Sequence, residues 1–360
     1  MAKNHSVSVL HVCSDPNLKT EYEIVESEEE SIFSVVIYYK QIKNKIPFLA
    51  PYLKKQKLLE LYEIGFQIIQ KKRRSIPDII QLNVVLPAGI GAKFLSGKYH
   101  IPMVINECWT GYMPADGNYK GFVTKYFTKK IVSRAKAIMP VSESLKQDML
   151  NHGLNGNYQI VPNVVDVELF KPNASIQKAS NKTRFIHIST FDQEQKNVVG
   201  ILNAFEKAYH KDNSIELSFI GNLTHAEFLQ NLVEQKNIKQ AVYFKGPLSK
   251  IDLITEINSH DALIMFSNYE SFCLVIAEAM SCGIPVITSK CGGITNTLPD
   301  YAGIKVESKN ENQLCEAIER LSKNKSQYKV ENIQQFIVNN FSSAIINKRL
   351  TEVYQSVLKS

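Results

Sequence analysis

Two carboxylates eight positions apart, Glu270 and Glu278, give this chain its first sign of chemistry. Glu270 stands in Ser267-Asn268-Tyr269-Glu270-Ser271-Phe272, directly after the apolar run Ala262-Leu263-Ile264-Met265-Phe266. An apolar run entering a polar turn reads as a buried strand. A helix is predicted from Cys273 to Cys282, apolar on nearly every face and closed by Gly283 and Pro285. Val286-Ile287-Thr288 forms the next strand, so the stretch is one strand–turn–helix–strand unit of a helix-covered parallel sheet. Glu278 is the odd member of that helix, set among Leu274, Val275, Ile276, Ala277, Ala279 and Met280. A carboxylate on a helix buried all round is costly unless paired or hydrogen-bonded. Two readings are open: a Glu satisfied by nearby backbone or a hidden lysine, or an anchor for ligand hydroxyls. Between the two acids, the amides of Phe272, Cys273 and Leu274 open the helix, a natural site for phosphate. Carboxylates for sugar hydroxyls beside amides for phosphate describe a nucleotide-sugar pocket.

The order Glu270-x7-Glu278, Ala279-Met280-x-x-Gly283-x-Pro285-Val286 and Gly292-Gly293 resembles the signature of retaining GT-B glycosyltransferases of family 4, the glycosyl transferases group 1. The resemblance implies an α/β chain of two Rossmann-like domains facing each other across a cleft. It implies that Glu278 holds the ribose hydroxyls and that Glu270, counted as catalytic, contacts the donor sugar. The backbone of Ser271, Phe272, Cys273 and Leu274, with Ser267 at the turn, would hold phosphate or sugar oxygens. Lys196 matches the family's pyrophosphate lysine and is also counted as catalytic. Gly221 and Asn222, ending the strand Ile215–Gly221, join the donor set, and the backbone of Pro247 and Leu248 would read the base.

Three departures from the family pattern stand out. The strand Ser6–Cys13 is followed by no glycine-rich loop but by Ser14-Asp15-Pro16-Asn17-Leu18 and an acidic run, Glu21 to Glu30. A backbone that must approach phosphate closely needs glycine, so that half of the pocket is rebuilt. Cys108 stands where many relatives carry a histidine, at the end of the strand Pro102–Ile105. A thiol with a pKa of ~8.5 serves poorly as base or hydrogen-bond partner. Glu107 is a candidate stand-in, or equally a carboxylate that supports its neighbours. Trp109 reads as packing, with acceptor stacking as the other reading. Thr190 occupies the position of the family's phosphate arginine, which predicts weaker donor binding. Lys196 itself is placed at a helix N-terminus, where a cation is unfavourable without an arriving anion.

The elements that must position these residues follow from periodicity and turn chemistry. Ile32–Tyr39 reads as the second strand, and an amphipathic helix spans Lys54–Gln70. A strand at Pro77–Asn83, a helix at Gly89–Gly97, a helix near Tyr119–Ala135 and the strand Ala137–Pro140 come next. Ser142 is predicted to cap the helix after it. Residues 1–172 form the acceptor-side domain, 173–182 the linker and 183–341 the nucleotide-sugar domain. A helix over 342–360 is expected to return to the first domain.

At 360 residues the chain suffices for two domains, and 44% apolar with 21% charged residues is ordinary for a globular protein. No apolar run of about 20 residues predicts a membrane span, and no signal-peptide core begins the chain. Six cysteines without a C-x-x-C pair suit reduced thiols, and no Asp-x-Asp, H-E-x-x-H or metal-spaced set appears, so neither metal nor cofactor is expected. The net charge is +7, and cations crowd residues 40–74, including Lys54, Lys55, Lys71 and Arg74 among aromatics and aliphatics. Such a segment can lie on an anionic membrane or be a solvated helix face. Nucleic acid is a poor fit, since no binding motif accompanies the charge.

The expectation is a retaining glycosyltransferase moving a hexose from a UDP- or GDP-sugar to a hydroxyl of a glycan- or lipid-linked acceptor. It would work in the cytoplasm at the inner face of the plasma membrane, in cell-surface polysaccharide assembly. Against it stands a catalytically lost relative that binds sugar nucleotide or serves as a scaffold. A sugar-nucleotide epimerase is the third reading, disfavoured because the first domain lacks extra acid/base pairs.

Overall fold

Alternating apolar residues make the strands of the first lobe, and the lengths of the segments between them decide which strands are parallel. The computed structural model describes residues 5–40, 50–176, 178, 181–222 and 226–359. Val7–Ser14 (β1) pairs in parallel with Ile32–Tyr39 (β3), and Tyr22–Glu29 (β2) lies antiparallel on the far side of β3. The acidic run is therefore a strand, and Ile32–Tyr39 is the third strand instead of the second. Tyr22 and Ile24, two residues apart among the glutamates, allow it, with Ile24 packed toward the core and Val25 on the exposed side, because one sheet face can stay wet. Phe33, Val35 and Ile37 turn their buried face to the helix Ala50–Arg73 (α1), through Leu61, Phe66 and Ile69.

A second three-stranded sheet, fully parallel, holds Ile80–Asn83 (β4), Met103–Glu107 (β5) and Ala137–Pro140 (β6). Its crossovers are the helices Gly89–Tyr99 (α2) and Phe122–Val132 (α3). The helix Glu143–Asn151 (α4) follows β6, and Ser142 Oγ accepts the Leu145 amide at 3.3 Å as its cap.

The second lobe is a six-stranded parallel sheet in the order β12-β11-β10-β7-β8-β9. Its strands are Thr183–Ser189 (β7), Ile215–Gly221 (β8), Val242–Lys245 (β9), Ala262–Met265 (β10), Val286–Ser289 (β11) and Gly303–Val306 (β12). The order reverses between β7 and β10, and ligands bind outside the carboxyl ends of strands at such a switch point. Around it lie the single turn Gln193–Lys196 (α5) and the helices Val198–Tyr209 (α6), Ala226–Gln235 (α7), Lys250–Ser259 (α8) and Leu274–Ser281 (α9). The helices Glu311–Lys323 (α10), Val330–Phe341 (α11) and Ser343–Leu358 (α12) complete the chain.

The apolar stripe Ile346, Leu350, Val353 and Val357 of α12 packs on Val104, Ala137 and Met139 of the first lobe. That spacing is one face of a helix. Where the lobes meet, Asn258 accepts the Asn173 amide at 2.9 Å and donates to the Lys171 carbonyl. Ser281 donates to the Phe170 carbonyl, and the Val165 amide to Phe341. One continuous apolar cluster runs from Leu82 and Val85 to Ile276 and Ile294.

Candidate active site

The carboxyl ends of β7, β8 and β10 open into a cavity of about 480 Å³ that also takes in the first turn of α9. Thr190, Lys196, Gly221, Leu248, Glu270 and Ser271 line it, as do Phe272, Cys273 and Leu274. Asn163 closes it from the first lobe.

The turn after β10 is held from three sides. Lys196 Nζ meets Glu270 Oε1 at 2.6 Å, and both side chains are largely buried. Ser267 Oγ donates to the same carboxylate at 2.8 Å, while Ser289 Oγ donates to the Ser267 carbonyl. The Glu270 amide donates to the Cys291 carbonyl at 2.9 Å. Burial pulls the Lys196 ammonium down, but the Glu270 carboxylate, with Cys273 and Cys291, outweighs it and leaves the lysine above its ordinary value. Lys196 ends α5 instead of starting a helix, so the turn's dipole favours the cation there. The anion that justifies it is already present in Glu270.

The chain then makes a backbone sacrifice. Cys273, the residue preceding α9, is left-handed at φ 67°, a conformation costly for a residue with a Cβ. Among the described residues the amides of Ser271, Phe272 and Cys273 donate to no protein acceptor. Gly293, at φ 65°, makes this possible, because a Cβ there would come within 2.6 Å of the Phe272 carbonyl oxygen. Strained backbone with unspent donors at a helix N-terminus is an arrangement for an anion.

Glu278 lies one turn beyond Leu274 on α9 and is half-buried, so the helix is not apolar all round: its Leu274–Glu278 row is open. Glu278, expected to line the donor site, is not among the residues that line the cavity, although Leu274 and Val275 of the same helix are. Burial raises its pKa to about 7, opposed by the Lys250 charge. Among the described residues no hydrogen bond or ion pair engages it.

Glu107 and Cys108 do not line the cavity. Glu107 is fully buried in the first lobe and accepts the amides of Val85 (3.0 Å), Cys108 (3.0 Å) and Trp109 (2.9 Å) and the Tyr112 hydroxyl (3.3 Å). Burial raises its pKa, against these four donors. It organises the loop after β5 and has no lone pair left for a substrate. The Cys108 thiol is pushed up by burial and by Glu107, which keeps it protonated. Trp109 packs edge-on against Tyr112, with Gly111 giving the ring room. Ser267 supports the turn from beneath it, and Asn222 is exposed just past β8. Gly221 is demanded by the sheet, since a Cβ there would meet the Ser189 carbonyl oxygen at 1.9 Å.

The lining also holds residues that the sequence alone did not assign to the site, the apolar Ile188, Ile220, Leu253, Met265 and Val275 and the polar Asn163 and Ser189. Asn163 has no local signal, because only the meeting of the lobes brings it there. Ser189 was findable from its place at the end of a parallel strand. It accepts the Phe191 amide at 3.0 Å and contacts His187 Nε2 at 2.8 Å. His187 Nδ1 faces the Ile264 carbonyl at 2.9 Å and must donate to it, which leaves Nε2 as acceptor from Ser189. Burial pushes His187 down to about 4, so this tautomer is neutral. Leu253, on α8, is apolar wall.

The glycosyl transferases group 1 model matches residues 170–337, and the Glycosyltransferase Family 4 model matches residues 1–169. The chain belongs to the group 1 glycosyltransferases. This glycosyltransferase is 25% identical over 303 residues to an uncharacterized glycosyltransferase of Methanocaldococcus jannaschii, covering 82% of this chain and 81% of the relative. It is 25% identical over 211 residues to a D-inositol 3-phosphate glycosyltransferase of Paenarthrobacter aurescens, covering 54% and 50% of the two chains. Its GT-B fold is shared with sucrose-phosphate synthase from Thermosynechococcus elongatus (TM-score 0.76, 18% identity, 98% of this chain and 89% of that one). It is shared too with Anabaena HepE in complex with UDP and glucose (TM-score 0.71, 18% identity, 91% and 87%).

Proposed function

We propose that this glycosyltransferase moves a hexosyl group from a UDP- or GDP-sugar to a hydroxyl of a glycan- or lipid-linked acceptor, with retention of configuration. The carrying observation is the cavity in which Lys196 and the unspent amides of Ser271–Cys273 converge. An anion of diphosphate size fits there, with its base toward Pro247 and Leu248 and its ribose toward Glu278. Glu270 would accept from hydroxyls of the donor sugar while it holds Lys196.

In the reaction the bond from the anomeric carbon to the diphosphate oxygen breaks, and its electron pair goes to that oxygen. The acceptor oxygen bonds the same carbon on the same face, and its proton passes to the departing phosphate. Lys196 and the amides stabilise charge where it develops, which is where such donors help most. No metal or cofactor is assigned a part, and turnover unchanged by EDTA is the check on that.

The anionic-membrane contact expected at residues 40–74 draws limited support from its described part, since Lys43 and Lys45 lie outside the described residues. Lys57 pairs with Glu21, just before β2, while Lys72 and Arg73 pair with Glu28 of β2, so α1 spends half of its cations within the first lobe. No described helix is long and apolar enough to cross a membrane. A cytoplasmic setting beside the membrane, in polysaccharide assembly, completes the proposal.

One observation favours the non-catalytic reading: among the described residues Lys196 is the one cation lining the cavity, and Glu270 already neutralises it. Release of UDP or GDP from a donor panel, with and without acceptor sugars, decides between the two. Acceptor-dependent release with an α-linked product from an α-linked donor supports transfer. Donor binding without release in any mixture leaves the scaffold.

A further inference from the structure

Between Asp116 and Glu143 the chain has no acidic residue, yet it carries Lys120, Lys125, Lys129, Lys130, Arg134 and Lys136. The helix α3 lies inside this stretch and has two unlike faces. Thr128, Ile131 and Val132 face the core. On the other side Phe122 is 84% exposed, Val123 64% and Tyr126 49%. The Phe122 and Tyr126 rings stack at 6.4 Å, one turn apart. Lys125, Lys129 and Lys130 continue the same row, being three, seven and eight residues from Phe122. All three are exposed, with Lys125 over the Tyr119 ring and Lys130 over the Tyr126 ring. No carboxylate pairs with them among the described residues.

An exposed aromatic ridge flanked by unmatched lysines has no use in water. Aromatic rings settle at the headgroup level of a bilayer, while lysine stems reach along apolar surface to phosphate. Each lysine near an anionic leaflet is worth about 1 kcal/mol. A nucleic-acid surface would explain the charge but leave three apolar side chains facing solvent. In contrast to α1, the charge of α3 is not consumed within the molecule.

We propose that the exposed face of α3 docks on an anionic lipid bilayer, with Phe122, Val123 and Tyr126 at headgroup depth and Lys125, Lys129 and Lys130 against lipid phosphates. The chain between β5 and α3 is the loop that carries Trp109 and Tyr112, and the Tyr119 amide ties it to Gly111 at 2.9 Å. Docking would therefore fix the first lobe's cleft loop relative to the lipid surface. The inference stands apart from sugar transfer, because bare vesicles test it.

Co-sedimentation with vesicles of phosphatidylcholine alone, and of phosphatidylcholine with one third phosphatidylglycerol, is the measurement. Wild type is expected on the anionic vesicles only, released as salt rises. Lys125→Gln/Lys129→Gln/Lys130→Gln is expected to weaken the partition on the order of a hundredfold, from three lysines at about fivefold each. Phe122→Ser/Tyr126→Ser is expected to lose binding with an unchanged melting temperature, since both rings lie outside the core. Wild-type binding by either α3 variant overturns the proposal. So does loss confined to a Lys54→Gln/Lys55→Gln variant, which would return the contact to α1. A salt-sensitive dimer that both α3 variants dissolve, without vesicle binding, overturns it in favour of a second copy.

Discussion

Glu278 holds a proton that free solution would remove, and this gives it two pH signatures. Its folded pKa is about 7, against roughly 4.3 in an unfolded chain. Between those values the folded protein retains the proton and the unfolded one does not. The group therefore favours folding at low pH, and that contribution is lost as pH climbs through 7. Glu278→Gln is expected to flatten this decline in urea midpoints measured from pH 5 to 8. If Glu278 accepts ribose hydroxyls as the anion, the affinity for an intact UDP- or GDP-sugar, whose diphosphate does not titrate near neutrality, rises through pH 7 in wild type and is flat in the variant, as calorimetry would read. Equal pH profiles for the two proteins would remove it from the donor site. Glu107 calls for the opposite experiment. Truncation to alanine leaves the buried Val85 amide without an acceptor, at about 1–3 kcal/mol, and the part-buried amides of Cys108 and Trp109 at less. A melting temperature lowered by several degrees is expected, with donor affinity unchanged. Glu107→Gln should keep turnover within about tenfold, because the side chain acts on backbone and not on a reacting atom.

At the scale of elements, the strand–turn–helix unit from Ala262 to Ser289 depends on a glycine across from it. Gly293→Ala combines an unfavourable φ with contact against the Phe272 carbonyl, at about 2 kcal/mol. Urea unfolding should show that loss, and donor affinity should fall with it because the amides of Ser271–Cys273 shift. Most elements were legible in the chain, since buried parallel strands are continuous apolar runs and α12 has a clean helical stripe. The β2 strand was not: glutamates at nearly every second position mask a pairing that only β3, with Glu28 held by Lys72 and Arg73, makes favourable. The helix assigned to begin at Lys196 breaks at Asn197, which is left-handed at φ 50° between α5 and α6. No local pattern announces that break.

For the whole molecule, one hydrogen bond crosses the cleft close to the chemistry. Ser144 Oγ, at the start of α4, accepts the Gly293 amide at 3.0 Å. Ser144→Ala orphans that amide and should loosen the approach of the lobes by about 1 kcal/mol. Water then competes better with the acceptor, so donor hydrolysis is expected to rise about fivefold relative to transfer, read as free sugar against glycosylated product. An unchanged ratio would show that the contact plays no part in excluding water.

The amino-acid sequence by itself determined the fold class, the family and the two acids with their lysine, because strand-end turns carry their residue types in short, ordered spacings. Only tertiary structure decided that Lys196 and Glu270 neutralise each other, that Glu107 faces inward, and that Asn163 closes the cavity. Those depend on side-chain direction and on the meeting of two lobes, which spacing along a chain does not encode.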